Sequence, residues 1–159
     1  MNKKLLSACL LSSVLFAVGC GATEEGESDV EGCEHLQKGP AVAVAAVITG
    51  TPAAVGNDHK RYDISLASSA EGNTGSVSFA ASEAVDYVFF LSADVPLKIF
   101  RGNQQIPIQE STKSSTQCTD IKGRHEATLG VGTHTLTFGP TNLTSVSLVI
   151  EESAHDHDH

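Results

Sequence analysis

Apolar and polar residues alternate at a period of two in several segments of this chain, and this alternation constrains the fold more than any other feature. Tyr62, Ile64 and Leu66 occupy one side of an extended segment, while polar residues occupy the other. The same pattern recurs at 76–79, 135–138 and 145–151, where only Val149 breaks it. Successive side chains of a β-strand point to opposite faces, so each segment predicts a strand with one buried and one exposed face.

Turn-forming residues separate these segments about every ten positions. They occur at Thr51-Pro52, Gly72-Asn73, Gly102-Asn103, 130–132 and Gly139-Pro140. Short strands at this spacing are typical of sandwiches and barrels, and no segment after the N-terminal region has a sustained helical period. The sequence therefore predicts an all-β fold, an antiparallel two-sheet sandwich of jelly-roll kind, over residues 33–152.

Four further segments refine the predicted sheets. The runs 42–48 and Tyr87–Leu91 are apolar on both faces, which predicts central or doubly covered strands. Two more strands are predicted at 97–100 and 106–108. Because proline cannot donate a hydrogen bond to a strand ladder, Pro107 places the second of these at a sheet edge.

The N-terminus has the pattern of a secretory signal peptide over residues 1–19. Lys3 and Lys4 precede an apolar run at 5–18, which is too short to span a bilayer as a stable helix. The segment from Phe16 to Cys20 then resembles the lipobox of bacterial lipoproteins, although Ala17 stands where that family more often has Leu.

The lipobox resemblance implies a lipid-anchored protein of the bacterial cell envelope. In that family the signal is cut before the cysteine, which carries diacylglycerol and fatty acyl chains such as palmitate, and Gly21 in place of Asp implies the outer membrane. More than one lipid chain gives stable anchoring. Two alternatives remain: a secreted protein cut near Cys20 without lipidation, and a lipobox ending at Cys9, which leaves a short apolar region after Lys4.

Residues 20–32 are predicted to be a solvated acidic tether. The segment holds several Glu and Asp residues and no aromatic residue, a composition that buries too little apolar surface to fold. An acidic Ca²⁺-binding run is the alternative, but the acids lack the spacing of a calcium loop. Loss of residues 1–19 would change the net charge from −9 to −11, which argues against nucleic-acid binding.

Four cysteines are present, and the lipoprotein resemblance accounts for two of them. Cys9 would leave with the signal and Cys20 would carry lipid. The remaining pair predicts a Cys33–Cys118 disulfide in an oxidising compartment. A metal site that uses Cys33 and His35 is the alternative.

The second half of the chain resembles the prepeptidase C-terminal type of β-sandwich found in secreted bacterial proteins. The residues that carry the resemblance are Tyr87–Leu91, Val95–Phe100 and Leu129–Phe138, and it covers 75–151. It implies an accessory sandwich module without a catalytic site of its own. His134 stands where that family commonly has Tyr.

Residues 153–159 form a His-rich C-terminal tail and are the main predicted metal-binding segment. The ligand-type residues are His155, Asp156, His157, Asp158 and His159. Imidazole and carboxylate favour Zn²⁺, Cu²⁺ or Ni²⁺, and His35 is a further candidate ligand. A solvated polar tail without a specific role is the alternative.

Two other histidines and the lack of catalytic motifs complete the prediction. His125 and His134 are in phase with apolar residues, which favours core histidines over a metal pair. No nucleophile elbow, zinc-protease helix or phosphate-binding loop is present, so a non-enzyme is predicted. The functional hypotheses are an envelope-anchored metal-binding lipoprotein, a structural or interaction sandwich that binds an envelope protein or glycan, and a hydrolase with an unrecognised site.

Overall fold

The computed structural model describes residues 24–153, with side chains from residue 26 onward. The predicted signal peptide, Cys20 and the tail residues 154–159 lie outside the described residues. Within 24–153 the chain forms one helix and twelve strands. They are α1 (Glu24–Lys38), β1 (Ala41–Ala45), β2 (Ala54–Val55), β3 (Arg61–Ser65), β4 (Ala67–Ser69), β5 (Gly72–Ala81), β6 (Val85–Leu91), β7 (Leu97–Arg101), β8 (Gln104–Ile106), β9 (Glu110–Thr112), β10 (Gly123–Leu129), β11 (Gly132–Thr141) and β12 (Ser145–Glu152).

The strands form two sheets that pack against each other, which confirms the predicted all-β sandwich. The first sheet has the order β1-β3-β12-β6-β10-β9, and the second has the order β2-β5-β11-β7-β8, with β4 also paired to β5. Most neighbours are antiparallel, but β1 runs parallel to β3 and β2 runs parallel to β5. The sheets are therefore mixed, rather than purely antiparallel as predicted.

The main core lies between the two sheets and is built by the alternating residues. Val77 and Phe79 from β5 and Leu136 from β11 lie on the second sheet and face Phe89 from β6 of the first sheet, and all four are fully buried. Phe79 packs edge-on against Tyr87 with ring centroids 5.0 Å apart. Each fully buried side chain of this size contributes about 1.5–3 kcal/mol.

A second, smaller apolar cluster covers the outer face of the first sheet. Val88 and Phe90 from β6 and Val149 from β12 pack there against Leu36 of α1 and Ile121. The sandwich core occupies the opposite face of both strands. This explains why Tyr87–Leu91 is apolar on both faces, as predicted for a doubly covered strand, and why Val149 interrupts the alternation in β12.

The apolar run 42–48 was predicted to be a central or doubly covered strand, and this prediction is wrong. The run contributes to β1, which lies at the edge of the first sheet. Ala41, Ala43 and Ala45 are exposed, whereas Val44 is buried. Alanine side chains need little cover, so an Ala/Val alternation behaves as a half-exposed strand. The edge position predicted from Pro107 is confirmed, because β8 lies at the edge of the second sheet. The strand itself spans Gln104–Ile106 instead of the predicted 106–108, so it ends before the proline.

The acidic segment was predicted to be a solvated tether, and residues 24–32 instead begin helix α1. Acidic residues occupy its first turn and His35 and Lys38 its last, which matches the helix dipole at both ends. The amide of Gly39 donates to the carbonyl of His35 at 2.8 Å, and Pro40 then ends the helix. Among the described residues, no helix is long and apolar enough to cross a membrane.

Tertiary contacts hold this helix, which at its length would be marginal alone in water. The predicted disulfide is present: Cys33 is bonded to Cys118, with the Cα atoms 5.7 Å apart. The buried guanidinium of Arg124 donates from Nε to Asp29 Oδ1 at 2.9 Å. Gly32 lies so close to the sheet that a Cβ there would meet the Phe90 ring at 2.4 Å. The composition of the segment could not predict the disulfide, the ion pair with Arg124 or the packing on Phe90, because each depends on a residue far along the chain.

Candidate metal centre

Four ligand-type side chains converge where α1 crosses the end of the first sheet. Glu31 and His35 come from α1, His59 comes from the loop between β2 and β3, and Glu151 comes from β12. One ligand atom from each lies within 4.8 Å of the others. We refer to these four residues as the His–Glu cluster.

Helix geometry places two members of the cluster side by side. Glu31 and His35 are four positions apart, and residues at this spacing are neighbours on one helix face. The disulfide at Cys33 lies between them in sequence and fixes the helix against the sandwich. Both side chains are therefore carried by an anchored element.

The loop that carries His59 is held from both sides. The Tyr62 hydroxyl donates to Asp58 Oδ1 at 2.7 Å, and Asn57 Nδ2 donates to Glu152 Oε1 at 2.8 Å. Burial and the hydrogen bond to Asp58 raise the pKa of Tyr62 to about 12. His59 has a φ of 58°, a left-handed conformation that is uncommon for residues other than glycine. These contacts hold an imidazole in an unfavourable backbone conformation beside two carboxylates.

Glu151 is the buried member of the cluster. It shares the outer face of β12 with Val149 and is only 4% exposed, because α1 covers that face. Burial raises the pKa of Glu151, and the hydrogen bond and charge of His35 oppose that shift. A buried carboxylate needs a hydrogen-bond donor or a cation to offset its lost hydration.

The distances within the cluster are close to those of a metal site. His59 Nδ1 lies 3.6 Å from Glu31 Oε1 and 4.0 Å from Glu151 Oε2. A tetrahedral Zn²⁺ ion with ligands about 2.0–2.1 Å away separates neighbouring ligand atoms by roughly 3.4 Å. His35 Nδ1 and Glu151 Oε1 are closer, at 2.5 Å, because they form a direct hydrogen bond. An ion would replace that hydrogen bond and push these two atoms apart.

Cavities open on both sides of the cluster. One of about 230 Å³ is lined by Glu31, Asn57, His59, Glu151 and Glu152. Another of about 290 Å³ is lined by residues that include His35 and His59, together with the end of α1 and Pro40. Because these open cavities border the cluster, an ion there would have room for an exchangeable ligand.

The donor set selects a class of metal. Two imidazoles suit Zn²⁺, Cu²⁺ and Ni²⁺, whereas Ca²⁺ and Mg²⁺ prefer oxygen ligands alone. The two carboxylates add negative charge that attracts a cation. The cluster therefore has the chemistry of a site for a divalent transition-metal ion.

The predicted metal ligands divide between the cluster and the tail. His35 lies in the cluster, while His155, Asp156, His157, Asp158 and His159 lie outside the described residues. The alternative Cys33–His35 metal site is not formed, because Cys33 is disulfide-bonded and His35 contacts Glu151.

Sequence reasoning missed the other three cluster members. Glu31 lies in the segment predicted to be a tether, and Glu151 lies in the alternating segment 145–151. Neither Glu151 nor His59 was among the predicted ligands. The i, i+4 spacing of Glu31 and His35 was the available signal, but it has meaning only if the segment is helical. The isolated Val149 was the second signal, because it marks the covered face that Glu151 shares.

His125 and His134 do not belong to the cluster. His134 is 1% exposed, and its Nε2 lies 2.8 Å from the carbonyl of Gly130, as predicted for a core histidine. His125 Nδ1 lies 2.8 Å from the hydroxyl of Ser111. Ser111 and His125 are register partners across β9 and β10, so strand pairing accounts for this contact. The strands that carry the two histidines lie in different sheets rather than in one hairpin.

Comparison with known proteins found no family model and no curated protein that matches the chain. The resemblances to lipoproteins and to prepeptidase C-terminal sandwiches therefore rest on the sequence segments that carry them.

Proposed function

We propose that this protein binds a divalent transition-metal ion, Zn²⁺ in the first instance, through the His–Glu cluster. The observation that carries the proposal is the convergence of two imidazoles and two carboxylates from three separate elements within 4.8 Å. The anchored helix and the pinned loop hold these side chains together before any ion binds. Such preorganisation reduces the ordering cost of binding.

The proposed setting is the bacterial cell envelope, with Cys20 as the lipid attachment point. This part rests on the lipobox resemblance alone. In this setting the protein would take up or buffer metal ions at the membrane surface. Non-enzymatic action remains a prediction from the missing catalytic motifs.

Isothermal titration of the purified protein with Zn²⁺ tests the metal site. We expect Glu31→Gln to weaken binding by about tenfold or more, because it removes a carboxylate ligand and its charge. Glu34→Gln is the matched control, since Glu34 lies on the same helix but outside the cluster and pairs with Lys38 at 3.7 Å. Acidification should also weaken binding, because protonated histidines do not bind metal.

Equal affinities for the two variants, or no binding by the parent protein, would contradict the proposal.

The alternative of an interaction module has less support. Among the described residues, the exposed large hydrophobic side chains lie in four different segments, at Val30, Ile48, Val131 and Leu143.

A further inference from the structure

Two of the four residues in the His–Glu cluster depend on the position of helix α1. Glu31 and His35 are carried by α1, whereas His59 and Glu151 belong to the sandwich. The four ligand atoms lie together only while α1 is docked on the first sheet. The apparent affinity for an ion therefore falls in proportion to the fraction of molecules in which α1 is docked.

Few noncovalent contacts dock α1. Leu36 is the one large apolar side chain in the described part of α1 that is buried. The polar contacts between α1 and the rest of the fold include Asp29–Arg124, Leu36–Arg61 and Gln37–Asp120. A helix of 15 residues is marginal alone in water, so a helix with this few contacts opens readily by local unfolding.

The Cys33–Cys118 disulfide anchors α1 covalently at the turn that carries the two ligands. Cys33 lies two residues after Glu31 and two residues before His35. Cys118 belongs to the segment between β9 and β10, so the bond ties this turn of α1 to a loop of the sandwich. Cleavage of the bond removes a restraint from the part of the helix that must stay in place for an ion to bind.

A thiol reductant reaches the disulfide from the side of Cys33, which is half-buried, whereas Cys118 is only 3% exposed. One thiolate of a dithiol attacks Cys33 Sγ, forms a mixed disulfide with it and releases Cys118 as a thiolate, which takes up a proton. The second thiol of the reductant attacks the mixed disulfide and releases Cys33, which is protonated in turn. The reductant leaves as its own disulfide, so two electrons and two protons pass to the protein.

We propose that the Cys33–Cys118 disulfide is a redox switch for the His–Glu cluster, through which a dithiol reductant undocks α1 and releases the bound ion. In the oxidised protein the disulfide holds the two ligands of α1 against the two ligands of the sandwich. In the reduced protein the docked fraction of α1 falls, and the affinity falls with it. Linkage is reciprocal, so a bound ion disfavours reduction of the disulfide by the same factor. This inference rests on the proposed function of the cluster.

The test titrates Zn²⁺ calorimetrically into three forms of the full chain. They are the oxidised chain, the same chain reduced with dithiothreitol that is then removed anaerobically, and the double variant Cys33→Ser, Cys118→Ser. All three carry Cys9→Ser and Cys20→Ser, so that no thiol outside the switch binds Zn²⁺. We expect the reduced chain and the double variant to bind Zn²⁺ about tenfold or more weakly than the oxidised chain. The double variant is also the control for the reductant, since dithiothreitol treatment should leave its affinity unchanged.

Amide hydrogen exchange without metal distinguishes undocking of α1 from loosening of the whole fold. We expect the amides of α1 to exchange about tenfold or more faster in the double variant than in the oxidised chain. The amides of β6 and β12 should be equally protected in both proteins, because the sandwich core between the two sheets does not include the disulfide.

The outcomes separate this inference from the function on which it depends. Equal Zn²⁺ affinity in the oxidised and reduced chains, or equal exchange of α1 with and without the disulfide, would overturn the switch and leave the cluster site intact. Faster exchange throughout β6 and β12 would also overturn it, because the disulfide would then hold the whole sandwich. If the oxidised chain binds no Zn²⁺, the proposed function is wrong, and the switch is wrong with it.

Discussion

At the scale of single residues, His59 is the cluster member with the least common backbone conformation. Within residues 24–153 it is the one non-glycine residue with positive φ. A left-handed conformation costs of order 1 kcal/mol or more for a residue other than glycine. Histidine and asparagine both adopt it more often than most residues do, so asparagine can replace His59 without a new backbone penalty.

Replacement of His59 should lower the affinity for Zn²⁺ without a comparable change in the free energy of unfolding. His59→Asn suits the left-handed conformation and removes the ligand. We expect its free energy of unfolding without metal to stay within about 1 kcal/mol of the parent value, while Zn²⁺ affinity falls about tenfold or more. Urea denaturation and calorimetry measure the two quantities. A loss of several kcal/mol together with unchanged affinity would identify His59 as a structural residue instead.

His125 is expected to make the stability of the folded protein depend on pH, and its surroundings determine the sign of that dependence. Burial lowers the pKa of His125, with the nearby charge of Asp94 opposing the shift. Below about pH 6.5 the unfolded state therefore binds a proton more readily than the folded state does. The free energy of unfolding decreases as the pH is lowered through that window. Above it both states hold neutral imidazole, and the effect vanishes.

The variant His125→Asn should lose less stability than the parent between pH 7.5 and pH 5. Urea denaturation at both values measures this difference. Ser111→Ala is the control, because it removes the hydrogen-bond partner of His125 and keeps the titrating group. A parent and His125→Asn variant with the same pH dependence would show that His125 does not titrate differently in the folded protein.

At the scale of elements, strands were easier to predict than the helix that completes the site. The alternation at 61–66, 76–79 and 145–151 is a local signal, because each strand shows its two faces in its own sequence. Helix α1 has no such signal, since it is held by Cys118, Arg124 and the sheet beneath it. The failed prediction for 42–48 has a related cause, because only sheet order distinguishes an edge strand from a central one.

Gly32 provides a test of how closely α1 approaches the sheet. Glycine to alanine inside a helix normally stabilises by about 1 kcal/mol through propensity. Here the new Cβ would meet the Phe90 ring at 2.4 Å, and such overpacking typically costs about 1–3 kcal/mol. We therefore expect Gly32→Ala to destabilise the protein and to weaken Zn²⁺ binding by displacing Glu31 and His35. Glu27→Ala, on the exposed face of α1, is the control, and a stabilised Gly32→Ala variant would contradict the packing.

At the scale of the whole molecule, the sandwich and its disulfide followed from the sequence, whereas the His–Glu cluster did not. Strand patterns and cysteine number are properties of the chain itself. The cluster joins residues from 31 to 151, and their meeting depends on sheet order and helix docking. The sequence instead predicted metal binding by the tail, because its candidate ligands are adjacent in sequence.

Anchoring of the protein to a membrane through Cys20 is a prediction at this scale. If Cys20 is the lipidation site, Cys20→Ser should move the protein from the membrane fraction to the soluble fraction and abolish labelling with radioactive palmitate. Cys9→Ser is the matched control and should leave both unchanged, because the lipobox at Cys20 stays intact. Membrane association that survives Cys20→Ser and is lost with Cys9→Ser would assign the anchor to the other cysteine.

The central claim is that the His–Glu cluster holds a metal ion, and a crystal structure grown with Zn²⁺ tests it most directly. Anomalous scattering at the zinc edge should place an ion about 2.0–2.2 Å from an imidazole nitrogen of His35 and of His59, and at the same distance from a carboxylate oxygen of Glu31 and of Glu151. The hydrogen bond between His35 and Glu151 should then be replaced by bonds to the ion. A zinc peak elsewhere, with that hydrogen bond still formed, would contradict the account.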